Sequence, residues 1–120
     1  MEHNLWYDDE TQIIHLQFTR DYLTSDVEDI RKVMNDLVAG KPYRQMVIQI
    51  SKTAKVENRE TREKSNQLLK DFDISHVAFI GGSAANRMIA KVMLKTGALK
   101  IQGDFFKTID QGVEWIMSKR

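Results

Sequence analysis

The chain has 120 residues, 42% of them hydrophobic and 29% charged, with a formal net charge of +1. That suits one domain with a self-sufficient core and leaves no room for a two-domain enzyme. One Pro, six Gly and no Cys exclude collagen-like and disordered classes, disulfide frameworks, thiolate catalysis and Cys-ligated zinc. No apolar run reaches the ~20 residues of a membrane span. The opening segment Met1 to Glu10 has no basic stretch followed by an apolar one, so a soluble cytoplasmic domain over residues 1–120 is expected. Charge is unevenly spread: residues 1–30 carry eight acids against Arg20 alone, which makes this quarter −7 and the remainder +8. Such polarity can steer an acidic partner or align chains head to tail, and it also arises from plain solvated surface.

Leu5 to Tyr7 and Ile13 to Phe18 flank the acidic Asp8-Asp9-Glu10, and Ile14, Leu16 and Phe18 alternate with His15 and Gln17. The pattern predicts a hairpin with a mostly one-sided core. Ser25-x-x-Glu28 has capping-box spacing, and Val27, Ile30, Val33, Met34, Leu37 and Val38 recur at helical spacing up to Gly40. Met46 to Ile50 reads as a buried third strand. A polar helix from Asn58 to Lys70 follows, with only Leu68, Leu69 and Phe72 as its apolar face and Thr61 and Ser65 behind them. His76 to Ile80 is a fourth strand ending at Gly81-Gly82, and Ser83 caps a third helix with Met88, Ile89, Val92 and Met93 inward and Gly97 closing it. Ile101 to Lys107 is a fifth strand. Thr108 to Gln111 again has capping-box spacing, ahead of a last helix with Val113, Ile116 and Met117 inward. The order ββαβαβαβα predicts an α/β fold, a five-stranded mixed and mainly parallel sheet flanked by four helices. Ligands of such sheets gather at the carboxyl ends of the strands.

Two segments at that edge stand out. Gly81-Gly82-Ser83 before a helix, followed by Asn86 and Arg87, offers free N–H groups and a cation to an anion, and equally forms a simple turn and cap. It matches neither a P-loop nor Gly-x-Gly-x-x-Gly. Ser51-Lys52-Thr53-Ala54-Lys55 sets two hydroxyls among lysines, where phosphorylation would add about −1.5 to −2 charges; Ser and Thr are also ordinary loop residues. Arg87, Lys91 and Lys95 form an i, i+4, i+8 basic stripe that Lys100 and Lys107 extend, but no helix-turn-helix or basic-aromatic interleaving points to nucleic acid. His3, His15 and His76 lack metal-ligand spacing. No Gly-x-Ser-x-Gly elbow or opposed carboxylate pair supports catalysis. Met34, Met88 and Met93 have core spacing or could line an adaptable pocket, and Trp115 seals the core edge or meets a partner.

The order of elements, Lys41-Pro42-Tyr43, Val77-Ala78-Phe79-Ile80-Gly81 with Ser83 and Arg87 after it, and Phe105-Phe106-Lys107-Thr108 leading to Glu114-Trp115-Ile116 together resemble the small stand-alone bacterial STAS-like domains. These are also called SpoIIAA-like or STAS/SEC14 domains and are related to anti-sigma-factor antagonists. The resemblance spans nearly the whole chain. It implies a SpoIIAA-like fold and a non-catalytic regulatory module without cofactor or metal, whose protein partner is a kinase or another regulator. In the antagonists, an Asp-Ser-Ser/Thr-Gly stretch holds the serine that a kinase phosphorylates. Here Gln49-Ile50-Ser51-Lys52-Thr53-Ala54 keeps the hydroxyls and lacks the Asp and the Gly. Ser51, Lys52 and Thr53 are therefore switch-loop candidates by position. The alternative is a site for an anion, nucleotide or lipid at Gly81, Gly82, Ser83, Asn86, Arg87 and Lys107. A homodimer through Phe105, Phe106 and Trp115 on an edge strand is a further expectation.

Overall fold

A computed structural model of the chain describes residues 2–84, 87, 88, 91 and 101–120. Strands β1 (Asn4–Asp8), β2 (Ile13–Gln17), β3 (Gln45–Ile50), β4 (His76–Gly81) and β5 (Gln102–Phe106) form one sheet in the order β1-β2-β3-β4-β5. β1 pairs antiparallel with β2 and every other pairing is parallel. Helices α1 (Thr24–Val38), α2 (Arg59–Asp71) and α3 (Ile109–Ser118) complete the α/β fold. Among the described residues three helices are thus defined, where four were expected. The expected third one, Ser83 to Gly97, lies mostly outside the described residues, although Ala84, Arg87, Met88 and Lys91 have helical backbone.

Because the strands follow one another in order, right-handed crossovers put α1 and α2 on the same face of the sheet. Ile14, Leu16, Met46, Ile48 and Val77 meet Val27, Ile30, Met34, Leu68, Leu69 and Phe72 there. Alternation sends Ile13, Val47, Ala78 and Ile80 to the other face, where Ile116 of α3 covers them. Both faces of β2 are therefore buried. The mostly one-sided hairpin core expected from alternation extends to the second face at Ile13 and His15, which are both buried.

Three local expectations are corrected. α1 does not start at the Ser25-x-x-Glu28 box: Leu23 is its N-cap, and the Asp26 carboxylate reaches back to accept the Leu23 N–H at 2.8 Å. Asp26 wins this role because it is also bound by Arg20 and His3. Met117 is exposed, and the inner side of α3 is built on Gly112 and Ile116. A side chain at Gly112 would begin 3.1 Å from Ala78 Cβ and 2.9 Å from Ile80 Cδ1, so the bare backbone sets how closely α3 lies on the sheet. Met88 points outward, 67% exposed, since it shares a helix face with Lys91 three residues on.

The polar helix α2 is tied down by hydroxyls as well as by its short apolar face. Asn58 caps it by accepting from the Thr61 N–H at 3.0 Å, Thr61 Oγ1 lies 2.6 Å from Thr24 Oγ1, and the Tyr22 hydroxyl meets Ser65 Oγ. Burial pushes the Tyr22 phenol up to about 12, with the Ser65 bond working against it. On the surface between α1 and α2, Arg31 pairs with Asp71 at 2.8 Å.

Candidate functional site

Parallel strands β2 to β5 deliver their carboxyl ends to one edge, and the register fixes what stands there. Ile50 is opposite Gly81 and Ile80 is opposite Phe106. The chain leaves β3 at Ser51, β4 at Gly82 and β5 at Lys107 in adjacent positions. The two candidate segments, 51–55 and 81–87, therefore emerge side by side although about thirty residues separate them in sequence.

The first segment has a fixed base and a free tip. Val56 forms a bridge with Tyr22, whose N–H donates to the Lys55 carbonyl at 2.8 Å and whose carbonyl accepts from Glu57 N–H at 2.8 Å. The Lys55 N–H donates to Asp21 Oδ1 at 2.9 Å, and the Glu57 carboxylate accepts from the Thr24 N–H at 2.6 Å. Ala54 is buried, whereas Ser51, Lys52 and Thr53 are all exposed. Ser51 Oγ accepts from the Ala54 N–H at 3.2 Å and lies 3.3 Å from Thr53 Oγ1, a local turn that holds both hydroxyls at the tip.

At the second segment, Gly81 and Gly82 have φ of +80° and +86°. A side chain at Gly81 would begin 2.5 Å from the Ile50 carbonyl oxygen, so pairing of β3 with β4 by itself requires glycine there. The Arg87 N–H donates to the Ser83 carbonyl at 3.0 Å, which makes Ser83 the residue from which the helical segment starts. Arg87 and Lys91 are exposed, and the Lys91 ammonium lies 5.8 Å from the centre of the Phe105 ring. Asn86 lies outside the described residues. Lys107 is exposed, with its N–H donating to Gln111 Oε1 at 3.2 Å, while Thr108 caps α3 by accepting the Gln111 N–H at 3.2 Å. No ion pair holds Lys52, Lys55, Arg87 or Lys107 among the described residues.

Next to this edge, an open groove of about 620 Å³ runs between β5 and α3, lined by Phe106, Trp115, Lys107 and Glu114 among others. Trp115 packs against Phe106 with ring centroids 5.4 Å apart and so borders the core as its spacing predicts. On the strand itself, Asp104 Oδ1 accepts the Phe105 N–H at 2.8 Å. A carboxylate seated on an edge strand and occupied with its backbone opposes pairing with a second chain.

A buried His-Asp pair absent from any local motif lies beyond the edge. His3 Nε2 is 3.0 Å from Asp26 Oδ2, and Arg20 grips the same carboxylate through two nitrogens at 2.8 and 2.9 Å, while Glu2 also meets Arg20. Burial works to raise the Asp26 carboxyl, but the Arg20, Leu23 and His3 bonds outweigh it and bring it to about 2. The Thr19 N–H donates to His3 Nδ1 at 3.1 Å, so the proton of the neutral ring sits on Nε2 and points to Asp26. With both ring nitrogens occupied, the pair has no nitrogen to offer a substrate; it fastens the N-terminal segment to the start of α1. Twenty-three residues separate the two side chains, which explains why spacing gave no sign of them.

Among the described residues, no group of three or more His, Cys, Asp or Glu is placed to hold a metal, and no helix is long and apolar enough to cross a membrane. Comparison with models of protein families, with curated proteins and with solved structures finds no match for this chain.

Proposed function

We propose that the chain is a non-catalytic regulatory module that captures a protein partner at the carboxyl edge of its sheet, in the manner of the anti-sigma-factor antagonists it resembles. The observation that carries the reading is the juxtaposition of the strand exits: an exposed Ser51-Lys52-Thr53 tip on a fixed base, next to the Gly82 exit that leads to Arg87 and Met88. Lys52, Lys55, Arg87, Lys91 and Lys107 are exposed on the segments that leave this edge, and so is the apolar Met88. Such a surface fits an acidic partner that supplies an apolar pocket for Met88. Phosphorylation of Ser51 or Thr53 by a kinase would place a dianion among these lysines and repel the same partner.

The alternative ligand at Gly81, Gly82, Ser83, Asn86, Arg87 and Lys107, an anion, a nucleotide or a lipid, uses the same edge and is the weaker reading because strand pairing already accounts for Gly81. Homodimerisation through β5 is weakened in the same way by Asp104. A double substitution Ser51→Asp, Thr53→Asp tests the main reading: partner capture falls while the circular dichroism spectrum is unchanged. Capture equal to the unsubstituted chain contradicts it. A rise in melting temperature with phosphate, nucleotide or lipid that Arg87→Ala abolishes favours the alternative.

A further inference from the structure

The three histidines have unequal surroundings. His3 is bonded at both ring nitrogens, and His76 Nδ1 lies 2.8 Å from Ser75 Oγ. His15 is 5% exposed, and among the described residues neither of its ring nitrogens has a hydrogen-bond partner. Its cover is Trp6, its cross-strand neighbour on the edge strand β1, stacked on it with centroids 5.0 Å apart and planes 7° from parallel. Trp6 is itself 39% exposed. α3 packs on β3, β4 and β5, so at this end of the sheet an indole on an edge strand lies between the imidazole and water.

A neutral imidazole can tolerate this site, but a protonated one carries a charge and two N–H donors to a place where no described residue is set to accept from either ring nitrogen. The charged groups around it offer little compensation. From β1, the Asp8 carboxylate faces it and is already engaged by the Thr11 hydroxyl at 2.8 Å and the Glu10 N–H at 3.1 Å. β3 presents the uncharged Gln45, Val47 and Gln49. From the end of α3, the Lys119 ammonium sits over the Trp115 ring, and Arg120 binds Gln45 Oε1 and the Gln12 carbonyl. The indole face attracts a cation but cannot accept either N–H within the ring plane.

We propose that Trp6 and His15 form an acid-operated latch: uptake of a proton by His15 drives Trp6 off the sheet and opens the β1–β2 corner while the rest of the fold persists. Burial holds the His15 ring below its ordinary value of 6.5, against the pull of Asp8. The sign follows from that direction. Above the ordinary value the ring is neutral in folded and unfolded chains; as pH falls below it, the unfolded chain takes the proton first, so the closed form loses stability until the folded ring titrates. Acid loss of the Asp26 network sets in lower, below 3.8, so opening at His15 begins first as pH falls.

The two tryptophans allow a direct test, because Trp6 stacks on His15 whereas Trp115 contacts His76. In a Trp115→Phe chain, iodide quenching of Trp6 is followed as pH is lowered from 7.5 to about 4, with circular dichroism recorded on the same samples. The expected result is a red shift of Trp6 emission and a gain in iodide quenching at constant ellipticity, absent from His15→Phe and retained in His76→Phe. In the unsubstituted chain, NMR gives the same answer without substitution at His15: its ring resonances and the Trp6 indole N–H shift with one midpoint. Quenching that stays flat while His15 titrates, a transition that survives His15→Phe, or exposure of Trp6 only together with loss of ellipticity overturns the latch.

Discussion

The carbonyl oxygen of Ile50 lies where the side chain of any residue but glycine would stand at position 81, 2.5 Å from an ideal Cβ. This contact joins the exits of β3 and β4 and so sets the spacing of the candidate edge. Gly81→Ala combines the strain of φ +80°, about 1–3 kcal/mol, with a backbone collision. Gly40 has φ +72° and open space around it, so Gly40→Ala incurs the conformational cost alone. Urea unfolding of both variants is expected to show the larger loss at Gly81, in the absence of any ligand; equal losses would remove the Ile50 contact from the account.

Asp26 makes the fold sensitive to strong acid. Its carboxyl is held at about 2 against an ordinary 3.8, so the stabilisation is complete above 3.8 and is lost as pH falls through 2, an effect of about 2 kcal/mol. Asp26→Asn is expected to lower stability at neutral pH by about 1.5–3 kcal/mol, the range for hydrogen bonds to charged groups. It should also flatten the dependence between those two pH values. A variant with the full acid slope would assign that slope to other carboxylates.

At Gly112 two terms oppose each other. Alanine gains about 1 kcal/mol of helix propensity, and its Cβ meets Ala78 at 3.1 Å and the movable end of Ile80 at 2.9 Å. Gly112→Ala is expected to change stability little. Gly112→Val adds bulk that Ala78, fixed to the sheet, cannot accommodate, and is expected to cost about 1–3 kcal/mol. Thermal unfolding of the pair checks this, and a neutral valine would mean that α3 rides higher on the sheet than described.

Much of the architecture is legible in the sequence because it depends on short-range patterns. The apolar run Met46 to Ile50, the cap spacing at Thr108 and the strand-helix succession give the mainly parallel sheet and bring segments 51–55 and 81–87 to one edge. What escapes is decided between distant residues. Asp26 displaces the Ser25 box because Arg20 and His3 bind it, and α2 is secured by Thr24 and Tyr22 from other parts of the chain. Gly112 carries no apolar signal, yet it sets the approach of α3. At the site, the exposed hydroxyls and Arg87 are readable by position, while the outward direction of Met88 follows from its sharing a face with Lys91.

Site-specific photocrosslinking in native lysate tests the carboxyl edge most directly. A photoreactive residue replaces Thr53 or Met88 at the edge or, as a reference, the exposed Asp36 near the far end of α1. The account predicts that positions 53 and 88 label the same acidic protein, that labelling weakens with added salt and with Ser51→Asp, and that position 36 does not label it. Labelling from 36 alone, or different proteins from 53 and 88, would contradict a single partner held at this edge.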